Sequence, residues 1–254
     1  VAPDAADAHT LEPRACGDTR LAPPPVAIDD HVIVPIDVTA LAASMTFDPI
    51  NKVASVTAHP TFRVGPTAGW PVFDLRQTVL AAELDGLPVP LSDLSRQTLS
   101  PDDPLGVMLF GQDLEPCSEH VLSLAYELAT LPLDPSSPIP KWTDQGVLWH
   151  SAFSDMNPGE YLERWFPAPL LHDDFAMILD IDVLGDSPHT LLSNGTVTNG
   201  PNTWHITFPS DTDATLPLLY LAPSPSLTIA HSDSTLVLVD AGLLPSEAPQ
   251  LIES

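Results

Sequence analysis

The stretch VASVTAHPTFRV, residues 53–64, decides the fold class. Its apolar side chains stand at alternate positions, at Ala54, Val56, Ala58, Phe62 and Val64, with Pro60 in the same phase. The positions between them are mostly polar. Successive side chains of a β-strand point to opposite faces of a sheet, so this alternation is typical of a strand with one buried face.

The same pattern recurs on both sides of this stretch. Turn residues at Asp48–Lys52 and a hairpin dipeptide, Asp85-Gly86, separate some of the segments. We predict further strands at Val32–Val38, Val72–Leu75, Val79–Leu84, Val107–Phe110, Leu122–Leu128, Met177–Val183, Trp204–Phe208, Leu218–Leu221, Leu227–Ile229 and Thr235–Val239.

About a dozen short strands with turn residues between them indicate an all-β sandwich or barrel. Thirty prolines are scattered along the 254 residues, which disfavours long helices. We expect short helices at most at Leu41–Met45 and Leu91–Leu94. The Ala- and Pro-rich residues 1–28 predict an extended N-terminal arm or linker.

The charge balance excludes some classes of partner. Thirty-four acidic residues face eight basic ones, which gives a formal net charge of −26. Such a chain repels phosphate backbones and anionic membrane surfaces, so we expect no nucleic-acid partner and no membrane insertion. An acidic surface fits solubility in an extracellular or salty setting, or attraction of cations.

Two cysteines, Cys16 and Cys117, lie in polar, proline-containing stretches. Two cysteines in a chain of this size can be buried free thiols, but neither of these occupies a core position in the strand pattern. We therefore expect a disulfide that joins the N-terminal arm to the domain, and with it an oxidising compartment. A structural zinc site is disfavoured because neither cysteine has a second one nearby.

Residues 159–223 carry a series of motifs whose order indicates a family. They are GEYLERWFPAP (159–169), DFAMILDI (174–181), LSNG (192–195), WHITF (204–208) and LLYLAP (218–223). This succession resembles the N-terminal domain of M1-family (gluzincin) aminopeptidases. In that domain an arginine-aromatic-Phe-Pro segment precedes a strand, a Ser-Asn-Gly turn, a Trp-x-Phe strand and a Tyr-Leu strand. The resemblance extends more loosely back to residue 31, and it implies a saddle-shaped β-sandwich of mostly antiparallel strands.

The departures from the family matter for function. The catalytic signatures of M1 enzymes, His-Glu-x-x-His and Gly-x-Met-Glu-Asn, do not occur in these 254 residues. The resemblance implies that zinc belongs to a separate catalytic domain. It also implies one substrate-binding carboxylate or amide just before the Phe-Pro segment. Glu160 is the nearest match, although its spacing is about two residues short, and Glu163 is the weaker alternative.

Other catalytic and metal chemistry finds little support. The nine histidines show no metal-ligand spacing, and His205 falls on the polar face of its predicted strand. No Gly-x-Ser-x-Gly elbow is present, and a Cys117–His120 dyad conflicts with the expected disulfide. We expect no resident cofactor and no catalytic residue. Asp211 and Asp213 are at most weak calcium ligands.

The sequence thus predicts a non-catalytic, secreted or periplasmic M1-like domain that packs against a catalytic domain or a second chain. We divide it into an arm (1–28), a β domain (29–225), and terminal strands with an acidic tail (226–254) that lead toward another domain. The alternative is an independent extracellular module that binds a glycan, a peptide or a calcium ion. An exposed apolar patch near Glu160–Pro169 would favour the first hypothesis, and a cleft lined by aromatic residues the second.

Overall fold

The computed structural model describes residues 16–20, 22–97, 107–129, 140–151, 162–170, 174–210, 217–224, 227–231 and 236–240. Within these ranges the chain is built of β-strands, joined by turns and by one-turn 3-10 helices at Leu91–Asp93 and Leu162–Arg164. The strands are β1 (Val26–Ile28), β2 (His31–Asp48), β3 (Val53–Val64), β4 (Trp70–Phe73), β5 (Val79–Leu84), β6 (Leu87–Val89), β7 (Leu94–Gln97), β8 (Val107–Phe110), β9 (Glu119–Glu127), β10 (Lys141–Thr143), β11 (Gly146–Ser151), β12 (Ala176–Val183), β13 (His189–Ser193), β14 (Thr196–Gly200), β15 (Thr203–Phe208), β16 (Leu219–Pro223), β17 (Leu227–His231) and β18 (Leu236–Asp240).

The 18-residue strand β2 organises the large sheet, whose main order is β14-β15-β12-β2-β3-β9-β5-β6. Strand β2 pairs antiparallel with β3 and parallel with β12. Its first half also pairs with β1 and with β4, and β4 continues through β8 to β7. The sheet is therefore mixed, with antiparallel pairs in the majority.

A second, four-stranded antiparallel sheet has the order β10-β11-β16-β13. One continuous core includes buried side chains of both sheets. Phe47 of β2 meets Trp149 of β11 with ring centroids 5.7 Å apart. The predicted all-β sandwich is confirmed. Strands β17 and β18 form a separate two-stranded antiparallel sheet.

One of the two expected helices is wrong. Leu41–Met45 lies inside β2, where Leu41, Ala43 and Met45 are buried and Ala42 and Ser44 are exposed. Pairing on both edges of β2 outweighs the helix propensity of this short segment. The expectation for Leu91–Leu94 is confirmed by the 3-10 turn at Leu91–Asp93.

The predicted turns form as expected. Asp85 and Gly86 both have positive φ, at 52° and 77°, and connect β5 to β6 by a two-residue hairpin. In the turn after β2, the Asp48 carboxylate accepts hydrogen bonds from the N–H groups of Ile50 and Asn51, both at 3.0 Å.

The predicted disulfide between Cys16 and Cys117 is present. Beside it, the Gly17 N–H donates to the Val64 carbonyl (3.1 Å) and the Asp18 N–H to the Asp37 carboxylate (2.9 Å). The end of the predicted arm, Val26–Ile28, pairs with β2. The division of the chain at residues 28 and 225 stays a prediction.

Among the described residues, no helix has the length and apolar character needed to span a bilayer.

Candidate functional site: a buried polar cluster at the Leu162–Pro169 segment

The Leu162–Pro169 segment lies inside the domain. Its 3-10 turn is closed by the N–H groups of Trp165 and Phe166, which donate to the Leu162 carbonyl at 2.9 and 2.8 Å. Leu162 and residues 164–169 are buried, with Phe166 fully inaccessible. The exposed apolar patch that would have favoured a domain docked on a catalytic partner is therefore not found at Leu162 and residues 164–169, because they pack into the chain's own core.

Gln77 holds this segment from the side of the large sheet. Its side chain is fully buried, and its Nε2 donates to the Arg164 carbonyl at 2.8 Å. Its Oε1 accepts from the Ala129 N–H at 2.8 Å. One amide thus connects three parts of the chain that are far apart in sequence.

A buried ion pair lies beside Gln77. Arg76 donates to the Asp74 carboxylate at 2.5 Å, and the side chains of both residues are less than one-sixth exposed. The backbones of Asp74 and Ala168 exchange two hydrogen bonds of 2.9 Å, and the Arg76 N–H donates to the Glu163 carbonyl at 2.7 Å. We name Asp74, Arg76, Gln77 and Arg164 the polar cluster.

Aromatic residues complete the support of the segment. The Tyr126 hydroxyl donates to the Trp165 carbonyl at 2.6 Å, and burial raises the pKa of Tyr126 well above its ordinary value. The Trp165 and Trp149 rings meet edge to face with centroids 5.7 Å apart. Trp165 therefore joins the large sheet, through Tyr126, to the four-stranded sheet, through Trp149.

The structure places only part of the predicted site. Glu163 is half-buried, and its backbone joins the polar cluster. Glu160, Asp211 and Asp213 lie outside the described residues, so their predicted roles stay predictions. Within the described ranges, no three side chains of the His, Cys, Asp or Glu type gather where a metal ion could be held.

Sequence reasoning missed the polar cluster, although one signal was available. Leu75, Gln77 and Val79 stand at alternate positions, and all three are buried. A glutamine in the phase of a buried apolar series indicates a buried hydrogen-bonding role.

Of two histidines in contact with other residues, the sequence pattern predicted the exposure of one and did not single out the other. His205 is exposed on β15, as predicted, and its Nδ1 lies 2.7 Å from the Asp180 carboxylate. His189, which the sequence did not single out, is buried. Its Nε2 accepts a hydrogen bond from the Val147 N–H at 3.2 Å, and its Nδ1 lies 2.9 Å from the Ser187 carbonyl.

A cavity of about 560 Å³ adjoins the disulfide and is lined by residues 16–20 and Pro66. None of these lining residues is aromatic. The cavity is therefore not the aromatic cleft expected of a glycan- or peptide-binding module.

Solved structures share this architecture. An M1 zinc metallopeptidase from Deinococcus radiodurans matches 80% of this chain at a TM-score of 0.50 and 20% identity. The yeast leukotriene A4 hydrolase in complex with bestatin matches 87% at a TM-score of 0.55 and 10% identity. This chain has the fold of an M1 metallopeptidase domain. The likeness to the M1 N-terminal domain that the sequence motifs indicated is thereby confirmed at the level of the fold.

This M1-like chain spans only part of those proteins: 46% of the Deinococcus enzyme and 33% of the yeast hydrolase. A structure described as a two-domain M1 zinc metallopeptidase, in complex with L-arginine, matches at 17% identity and a TM-score of 0.50, again over 46% of its length. The sequence matches no protein-family model and no curated protein.

Proposed function

We propose that this chain is the non-catalytic β domain of a secreted M1-like zinc metallopeptidase. In this proposal it packs against a catalytic domain and shapes the entrance to that domain's cleft. The observation that carries the proposal is how much of each protein the structural match covers. It covers 80% of this chain but only 46% of a two-domain M1 enzyme, which leaves room for a second domain.

The polar cluster supports a positioning role for the Leu162–Pro169 segment. The backbones of Asp74 and Arg76 and the fully buried side chain of Gln77 hold this short piece of backbone by hydrogen bonds. Such a network fixes a loop rigidly, because breaking any member leaves a buried polar group unsatisfied. In this proposal the segment carries one candidate substrate-binding residue, Glu163, and the other, Glu160, precedes it in the sequence.

The disulfide and the acidic composition support the secreted location within this proposal. Disulfides persist in oxidising compartments. Zinc would be held by the partner domain, and Asp211 and Asp213 would be weak calcium ligands.

Gene sequences give the first test. We expect a His-Glu-x-x-His motif either in the reading frame that encodes this chain or in the gene of its partner chain. The complete enzyme should hydrolyse aminoacyl p-nitroanilides in a zinc-dependent manner, whereas the 254-residue chain alone should not.

Variants of the complete enzyme test the cleft-shaping role. We expect Glu160→Ala or Glu163→Ala to raise the KM for aminoacyl substrates severalfold. Glu83→Ala is the matched control, since Glu83 is exposed on β5. Equal KM values for all three variants would refute the substrate-binding role. Aminopeptidase activity of the chain alone would refute its non-catalytic role.

A further inference from the structure

Three side chains near the disulfide form a chain of hydrogen bonds. The Ser118 Oγ lies 2.8 Å from the His120 Nε2, and the His120 Nδ1 lies 2.8 Å from the Asp85 carboxylate. A hydroxyl, an imidazole and a carboxylate in this order are the parts of an activated serine nucleophile. Sequence reasoning missed this arrangement because Asp85 is 35 residues away from His120 along the chain and no elbow motif surrounds Ser118.

Asp85 is held in place from several directions. Its own N–H donates to the Val121 carbonyl at 2.9 Å, and its Oδ1 accepts from the Val121 N–H at 2.9 Å, so Oδ2 faces His120. Partial burial alone would raise the pKa of Asp85. The hydrogen bonds from Val121 and His120 outweigh this effect, and the pKa lies below its ordinary value. Asp85 is therefore a carboxylate at neutral pH.

His120 is oriented by its surroundings as well as by Asp85. Its ring lies 5.7 Å from the ring of Phe62 on the neighbouring strand β3, and its side chain is only 16% exposed. An Nδ1–H that donates to Asp85 leaves Nε2 as the acceptor that faces Ser118.

Ser118 follows the disulfide-bonded Cys117, whose φ is +58°. The Ser118 carbonyl accepts from the Val64 N–H at 2.9 Å, which fixes this backbone to β3. The hydroxyl also donates to the Glu115 carbonyl at 2.5 Å, so this carbonyl competes with the His120 Nε2 for the hydroxyl proton. Disulfide, strand pairing and turn together position Oγ between Glu115 and His120.

We propose that Ser118 is a reactive nucleophile that takes an acyl group from small activated esters, with His120 as its base and Asp85 as the positioning residue of that base. The Ser118 oxygen attacks the ester carbonyl, and its proton moves to the His120 Nε2. The bond to the phenolate leaving group breaks, and the phenolate takes that proton. The products are acyl-Ser118 and a phenol, and water later releases the carboxylic acid.

Activated esters are the expected acyl donors for a physical reason, and a fluorophosphonate, which forms a phosphonyl-serine and releases fluoride, is a probe of the same nucleophile. Dedicated oxyanion donors contribute about 10²–10³ in rate, and this site shows none among its hydrogen bonds. A leaving group of low pKa compensates for that lack. Under the proposed function the chain is non-catalytic toward peptides, and this ester chemistry needs neither zinc nor a partner domain.

A fluorophosphonate probe and p-nitrophenyl acetate test the proposal on the 254-residue chain. We expect mass spectrometry to find the adduct on Ser118, at a rate unchanged by a metal chelator. Ser118→Ala should abolish the adduct, and His120→Gln should slow labelling at least tenfold. Ser123→Ala and His59→Gln are the matched controls. The His59 Nδ1 lies 2.8 Å from the Ser123 Oγ, a similar serine–histidine contact. Among the described residues, no carboxylate contacts the His59 imidazole.

Asp85→Asn separates a catalytic arrangement from a merely structural one. Asn-Gly suits the same two-residue hairpin, so the fold should persist. The amide would donate toward Nδ1 and turn Nε2 into a donor, which cannot accept the serine proton. We expect labelling to fall at least tenfold with an unchanged melting temperature, once intact mass confirms the amide. Labelling of Ser118 no faster than Ser123, or unaffected by Asp85→Asn and His120→Gln, would overturn the proposal.

Discussion

His189, the first residue of β13, has to be neutral to keep its side-chain hydrogen bond to β11. Its Nε2 accepts the Val147 N–H, and protonation would set two donors against each other. Burial lowers the pKa of His189 below 6.5, and its hydrogen bond to the Ser187 carbonyl offsets only part of that effect. The unfolded chain therefore binds this proton more readily than the folded one.

The pH dependence of stability follows from this difference. The contribution of His189 is complete above pH 6.5 and is lost as pH falls from there through the lower pKa of the folded state. We expect the stability advantage of the wild type over His189→Gln, from urea unfolding, to shrink between pH 7.5 and pH 5. The exposed His205→Gln is the control for the loss of a surface imidazole. An advantage that stays constant with pH would contradict this account.

Gly146 is required by the same histidine. A Cβ at this position would collide with the His189 Nε2, and the φ of Gly146 is +142°. Gly185 also has a positive φ, +96°, but a Cβ there would meet nothing within 4 Å. We expect Gly146→Ala to lower the free energy of unfolding by more than 2 kcal/mol, and Gly185→Ala by about 1 kcal/mol. Equal losses in thermal unfolding would show that the collision is relieved at no cost.

The Leu162–Pro169 segment depends on Gln77 for its attachment to the large sheet. Gln77→Leu keeps the volume but leaves the Arg164 carbonyl and the Ala129 N–H without their partner. We expect a loss of roughly 2–4 kcal/mol in unfolding free energy, because both groups are deprived of a hydrogen bond. Gln145→Leu, at an exposed position in the β10–β11 turn, should change it by less than 0.5 kcal/mol. A similar small effect at Gln77 would refute the role of the polar cluster.

The strands were predictable and the polar cluster was not, for a physical reason. In β3, β9 and β12 apolar and polar residues alternate within the strand itself, because one face of each strand is buried. The helix predicted at Leu41–Met45 was wrong because pairing with β3 and β12 decides the conformation of this segment. Gln77 meets partners 52 and 87 residues away, a closeness that only the folded chain creates. The Asp85–His120 contact is likewise non-local, at 35 residues.

For the whole molecule, the Cys16–Cys117 disulfide constrains a loop of 101 residues that includes β1 to β8. Chain entropy predicts a loss of about 4–5 kcal/mol in stability when this bond is removed. The double variant Cys16→Ser/Cys117→Ser should show this loss in urea unfolding. Dithiothreitol should lower the free energy of unfolding of the wild type to that of the double variant, and should leave the double variant unchanged. A loss below 1 kcal/mol would mean that the bond leaves the unfolded ensemble unconstrained.

The hairpin of β17 and β18 bears most directly on the role of the molecule. Within the described part of the chain these strands pair only with each other, and a lone two-stranded sheet is marginally stable in water. Hydrogen–deuterium exchange of Leu227–His231, in this chain alone and in the complete gene product, is the decisive measurement. Our account predicts rapid exchange in the chain alone and protection of at least tenfold when the catalytic domain is present. Equal exchange in both would contradict packing against such a domain.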